Sequence, residues 1–64
     1  MANKVKYYRE KLGLTQQQLA EKSEVSRNTI SALETQDNVN VTYEIMEKLS
    51  RALGYKPATI FFNH

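Results

Sequence analysis

The chain has 64 residues, enough for one small domain, and a chain of this size buries only about 60% of its unfolded surface. It contains no cysteine, which excludes disulfides and thiolate metal sites and favours a reducing, cytoplasmic setting. No apolar run approaches the ~20 residues that a membrane span needs, and no targeting segment is visible. The formal net charge is +2, with six basic and three acidic residues within residues 1–30, a bias that suits a polyanionic partner.

The first predicted helix covers residues 4–12. Val5, Tyr8 and Leu12 recur at helical spacing and therefore fall on one face. Gly13 follows them and can adopt the left-handed conformation that ends many helices.

The second predicted helix covers residues 16–23, and two signals mark its start. Thr15 can cap the helix while Gln18 returns a bond to it, which makes a capping box. Leu14 can pack on Leu19 as a hydrophobic staple across the same boundary.

The third predicted helix covers residues 27–34. Ser26 can cap it, and Val25 can staple onto Ile30. The caps Thr15 and Ser26 are eleven residues apart, so the first of these two helices has about two turns before the chain bends. Two short helices joined by so tight a turn predict a helix-turn-helix, whose second helix can enter a DNA major groove.

Two further helices complete the chain. Thr42 can cap a fourth helix over residues 43–53. Pro57 suits the first position of a short fifth helix over residues 57–62. Because no segment shows the period-2 alternation of a strand, the sequence predicts an all-α, compact five-helix domain.

The exposed start of the third helix carries the residue types best suited to reading DNA. Arg27 can pair with guanine O6 and N7, and Asn28 with adenine N6 and N7. Ala32 is small enough for close approach and can touch a thymine methyl. An exposed Arg-Asn pair is usually only solvated surface, but two consecutive capped helices favour base contact. The positive ends of the helix dipoles favour phosphate near Gln16 and Ser26.

The stretch VKYYREKLGLTQQQLAEKSEVSRNTISALE, then ALG after the fourth helix and the tail IFF, resembles the Cro and phage-repressor helix-turn-helix family. This group includes the lambda-like repressor DNA-binding domains, and the likeness covers essentially all of residues 4–61. It implies a lambda-repressor-like fold and a sequence-specific regulator of transcription. We expect a repressor that reads a palindromic operator in double-stranded DNA.

The resemblance also implies roles for single residues. Gln16 matches a glutamine that contacts phosphate and braces the recognition helix. Arg9 and Glu34 match a pair that forms a salt bridge in relatives, although an acid at a helix end can also be simply solvated. A negative charge near a helix C-terminus is unfavourable alone, so a partner is expected. The base-reading candidates are Arg27, Asn28 and Ala32. The phosphate or positioning candidates are Gln16, Ser26, Thr29, Thr35 and Asn38.

Two departures from the family pattern stand out. Glu24 occupies the turn position where relatives usually have glycine, and a non-glycine residue in the left-handed region costs roughly 1 kcal/mol. The loop at residues 35–41, TQDNVNV, is one residue longer than in many relatives. It has Asp37 where a cation would help, so its threonine and asparagines offer only neutral donors to phosphate.

Enzyme chemistry is not expected from this sequence. His64 is the single histidine, and there is no cysteine nucleophile, plausible Ser-His pair or glycine-rich phosphate loop. Metal-ligand spacing is also missing, so neither a metal nor a cofactor is expected. The four tyrosines could stack on single-stranded bases, but their aliphatic neighbours favour a role in the core or an interface.

A single copy would read only about half a turn of DNA, which favours a homodimer with recognition helices about 34 Å apart. Tyr55 and Phe62 are the candidate dimer contacts, while Ile60 and Phe61 are expected to close the core. The alternative for Phe62 is that it covers the core edge. The alternative function is a protein-interaction module such as an antitoxin or anti-repressor, which the low net charge and acidic loop leave open.

Overall fold

The computed structural model describes residues 3–36 and 40–62, and within them the chain forms five α-helices and no strand. The all-α prediction is therefore confirmed. None of these helices has the length and apolar character needed to cross a membrane. The helices are α1 (Val5–Lys11), α2 (Gln16–Ser23), α3 (Arg27–Thr35), α4 (Tyr43–Leu53) and α5 (Pro57–Phe61).

Helix ends differ from the predicted bounds by one residue in three helices. Helix α1 begins after Lys4, which has no side-chain cap, and ends before Leu12. Helix α3 continues through Thr35, which the sequence reading assigned to the loop. Helix α5 ends at Phe61, because Phe62 already leaves the helical conformation.

Leu12 corrects one expectation from the helical periodicity. Its side chain is 46% exposed, whereas Val5 on the same predicted face is fully buried. Helix α1 stops at Lys11, and the chain turns through Gly13, whose φ is 74°. Leu12 therefore lies past the end of the helix and does not join Val5 and Tyr8 against the core.

The hydrophobic core receives side chains from all five helices and from the turn between α2 and α3. Full burial of each large aliphatic side chain stabilises the fold by about 1.5–3 kcal/mol. Both predicted staples contribute, since Val25 and Ile30 are buried and Leu14 packs against the same cluster as buried Leu19. The buried core consists of Val5, Leu19, Val25, Ile30, Leu33, Leu49, Ala52, Leu53 and Ile60.

The three predicted side-chain caps are all present. At α2 the capping box is complete, with Gln18 N donating to Thr15 Oγ1 at 3.0 Å and Thr15 N donating to Gln18 Oε1 at 2.8 Å. Ser26 and Thr42 accept from the third residue of α3 and α4, at 3.1 and 3.2 Å. Each cap satisfies a backbone N–H that has no partner within its helix, and its loss typically costs about 1 kcal/mol.

The turn between α2 and α3 uses the left-handed region at Glu24. Its φ and ψ are 62° and 28°, and its N–H donates to Ala20 O at 2.9 Å. Buried Ser23 holds the turn from inside, because its hydroxyl donates to Leu19 O at 2.7 Å and accepts from Val25 N at 3.2 Å. The chain therefore makes the tight turn with a glutamate at the position that favours glycine.

Candidate nucleic-acid interface

The first turn of α3 presents two polar side chains to solvent. Arg27 and Asn28 are both exposed, and neither side chain makes a hydrogen bond to any residue that the structure describes. They follow directly after the Ser26 cap, where the backbone direction is fixed by buried Val25 and Ile30. Within residues 3–36 and 40–62, their donors and acceptors are therefore unpaired, on a helix start that is itself held in place.

The hydroxyls of Ser26 and Thr29 bond to each other at the start of α3. Ser26 Oγ accepts from Thr29 N and donates to Thr29 Oγ1 at 2.9 Å. This bond between two hydroxyls uses one of their two protons and leaves the other without a partner among the described residues. Ser26 is exposed and Thr29 is half-buried, so the remaining hydroxyl donor of this pair lies at the start of α3.

The later candidates on α3 are less open. Ala32 is half-buried, one turn beyond Asn28. Thr35 is exposed, but its hydroxyl donates to Ser31 O at 2.8 Å, so a phosphate would have to replace that bond. Asn38 lies outside the described residues.

Arg9 and Glu34 tie α1 to the last turn of α3. Arg9 Nε lies 2.7 Å from Glu34 Oε2, and Arg9 Nη2 lies 3.0 Å from Glu34 Oε1. The hydrogen bond to Glu34 raises the pKa of the Arg9 guanidinium above its usual value, and burial opposes that rise. The side chains are 11% and 2% exposed, so both charges are largely withdrawn from water. Arg9 Nη1 also donates to Leu14 O, which adds the segment before α2 to the same network.

Gln16 joins this network from the first position of α2. Its Nε2 donates to Glu34 Oε1 at 3.1 Å. The carboxylate of Glu34 therefore receives bonds from α1 and α2 at once, which offsets the cost of burying its charge. This bond joins the start of α2 to the last turn of α3, and it leaves the second N–H of the Gln16 amide unused.

Asn3 makes two polar contacts that were not predicted from the sequence. Its Nδ2 donates to Leu33 O at 3.0 Å, and its Oδ1 accepts from Val5 N at 3.0 Å. An asparagine two residues before a helix start does suggest the local bond to Val5 N. The bond to Leu33 spans 30 residues, so no local pattern reveals it.

Comparisons with known proteins agree with this geometry. A protein-family model described as helix-turn-helix matches residues 5–60. The chain belongs to the helix-turn-helix family of the Cro and phage-repressor type. An uncharacterized HTH-type transcriptional regulator of Methanocaldococcus jannaschii is 41% identical over 61 residues, which is 95% of this chain and 91% of that protein. No solved structure matches the chain. The resemblance seen in the sequence is confirmed, and family membership supports a DNA-binding regulator of transcription.

This helix-turn-helix protein also carries a cleft at the C-terminal ends of α2 and α4. The cleft has a volume of about 360 Å³. Lys22 and Arg51 lie in the last turns of these helices, where cations offset the negative end of the helix dipole. That role accounts for Lys22 and Arg51, and Lys48 pairs with Glu44 at 3.5 Å on α4. The lining residues are Lys22, Ser23, Glu24, Lys48, Arg51 and Ala52.

The two candidate dimer contacts of this helix-turn-helix protein differ in availability. Tyr55 is half-buried, and its ring lies 4.1 Å from the ring of Tyr8, between centroids. Phe62 is 52% exposed. Ile60 is fully buried as expected, whereas Phe61 is only half-buried and packs against the core from its edge. Much of Tyr55 is therefore used within one copy, and Phe62 is the open apolar side chain of the pair.

Proposed function

We propose that this protein is a sequence-specific DNA-binding regulator that reads base edges with the N-terminal turn of α3. The observation that carries the proposal is the pair Arg27 and Asn28, which are exposed and without hydrogen-bond partners among the described residues. Both ends of α3 are held by polar contacts, the Ser26 cap at the start and the bonds to Glu34 at the end. A rigid helix with free polar groups at its start is suited to the major groove.

Each base-reading residue has a specific partner chemistry. The Arg27 guanidinium can donate twice to guanine, at O6 and N7, and the Asn28 amide can donate and accept at adenine. Ala32 lies one turn further along the helix and leaves room for the thymine methyl. Each good paired contact provides roughly 1–3 kcal/mol of discrimination against the wrong base.

The positioning contacts surround these base-reading residues. The remaining hydroxyl proton of the Ser26–Thr29 pair and the second amide proton of Gln16 are donors suited to phosphate oxygens. Backbone N–H groups at the start of α2 add the positive end of the helix dipole near Gln16. Such contacts set the register of the protein on the duplex and carry no sequence information themselves.

The regulator acts as a homodimer on a palindromic operator, and it represses transcription by occupying that site. One α3 helix reads about half a helical turn, so two copies with α3 helices about 34 Å apart match two half-sites on one face of DNA. A two-fold dimer uses the same patch on both copies. The exposed Phe62 ring supplies an apolar surface for that contact.

Selection of bound sequences from random duplexes tests the proposal. The purified protein should enrich two inverted half-sites, and its affinity should fall steeply as salt rises. Enrichment of a single unrepeated half-site would support DNA reading but contradict the homodimer. If no sequence is enriched at low salt, sequence-specific reading would be contradicted.

A protein-interaction module is the second candidate, and one observation favours it. Helix α3 carries a single basic residue, Arg27, so its attraction to phosphate is modest. An antitoxin or anti-repressor of this fold would form a stoichiometric complex with a protein partner. Failure of every duplex to bind at low salt, together with such a complex, would support this candidate over DNA reading.

A further inference from the structure

We infer that Asn3 is a positioning residue for DNA reading, because its amide caps the C-terminal end of the recognition helix from outside that helix. The inference rests on the proposed function. It extends that function to a residue that precedes α1 and lies 30 positions away from its partner in the chain.

The geometry of the last turn of α3 supports this role. The last four carbonyl groups of a helix have no partner within it. Ala32 O accepts a hydrogen bond from Gln36 N at 2.9 Å, and Leu33 O accepts one from Asn3 Nδ2 at 3.0 Å. The Asn3 side chain thus supplies a bond that the helix cannot make with its own backbone.

Asn3 is itself held at two points, so it can fix the direction of α3. Its Oδ1 accepts from Val5 N at 3.0 Å, and the next residue, Lys4, donates from its backbone N to Ile60 O at 2.9 Å. The segment before α1 therefore links the ends of α1, α3 and α5. Together with the ion pair at Glu34, it sets the angle at which the far end of α3 meets the groove.

Two substitutions separate the two bonds of Asn3. Asn3→Ser keeps an oxygen that can accept from Val5 N, but its side chain is too short to reach Leu33 O. Asn3→Ala removes both bonds. Neither substitution adds charge, so general attraction to DNA stays the same.

The first readout is the ratio of affinities for the selected operator and a scrambled duplex. Asn3→Ser should lower this ratio roughly 2- to 12-fold, the range that one net hydrogen bond contributes, and Asn3→Ala should lower it equally. A purely structural defect would reduce active protein and weaken both duplexes alike. An unchanged ratio for Asn3→Ser would overturn the inference.

The second readout needs no DNA. Amide exchange in the last turn of α3, including Gln36 N–H, should become several-fold faster in Asn3→Ser relative to the amides of α4. If the exchange rate in the last turn of α3, relative to that of α4, is the same in Asn3→Ser and in the wild-type protein, the inference is overturned. This holds even if the wild-type protein reads DNA well. If the wild-type protein prefers no sequence, the proposed function fails, and the exchange result still decides whether Asn3 holds α3.

Discussion

The guanidinium of Arg9 forms two hydrogen bonds with the carboxylate of Glu34, at 2.7 and 3.0 Å, and so joins α1 to the last turn of α3. Both side chains are largely buried, at 11% and 2% exposure. Replacing a buried ion pair as a whole can be neutral, whereas removing one partner leaves a charge without compensation. The pair therefore makes the placement of α3 depend on α1.

Arg9→Ala should destabilise the domain strongly, by roughly 3–5 kcal/mol, because Glu34 would keep a buried charge with only Gln16 beside it. Denaturant unfolding followed by circular dichroism measures the change. The matched control is Glu10→Gln, since Glu10 makes only a 4.0 Å contact with Arg9 and its side chain is 59% exposed. That control should change stability by less than about 1 kcal/mol. Similar losses in both variants would contradict the role given to the buried pair.

Glu24→Gly should stabilise the domain by up to about 1 kcal/mol, because glycine adopts a φ of 62° without the steric cost that a side chain brings. The greater freedom of glycine in the unfolded chain offsets part of this gain. Thermal unfolding measures the shift in melting temperature. Glu21→Gly makes the same chemical change inside α2 and should destabilise by about 1 kcal/mol. A loss of stability in Glu24→Gly as large as in the control would show that the Glu24 side chain contributes to the turn.

Ser50→Ala should be neutral or stabilising by up to about 1 kcal/mol. The Ser50 hydroxyl is buried and has no hydrogen-bond partner among the residues that the structure describes, so removing it relieves an unsatisfied group. Ser23→Ala is the matched case, because Ser23 is also buried and its hydroxyl makes two bonds that hold the turn. Ser23→Ala should cost about 1–3 kcal/mol in denaturant unfolding. Equal losses for the two serines would show that Ser50 has a partner of its own.

Local signals in the sequence predicted most of the fold. Thr15, Ser26 and Thr42 each accept a bond from the backbone N–H three residues further on, so local sequence patterns identify the starts of α2, α3 and α4. The end of α1 was harder, because helical periodicity continued to Leu12 while the turn at Gly13 had already begun. Periodicity describes a face, and it does not fix where a helix stops.

The candidate site was also predicted only in part from the sequence. The Arg27 and Asn28 positions follow from their places after a cap, and their exposure agrees with the prediction. The bonds from Asn3 to Leu33 and from Ser23 across the turn depend on tertiary packing, and a single sequence contains no signal for the first. Arg9 and Glu34 were paired only through family resemblance, since 25 residues separate them.

The central claim is that Arg27 reads a base, and its direct test compares two duplexes and two variants. Arg27→Ala should weaken binding to the selected operator by about 1–3 kcal/mol and remove the preference at one base pair of each half-site. Its binding to a scrambled duplex should change far less. Lys22→Ala, which removes a cation from the last turn of α2, should leave the preference intact. An equal loss on operator and scrambled duplex would mean that Arg27 contacts only phosphate, and the account of base reading would be wrong.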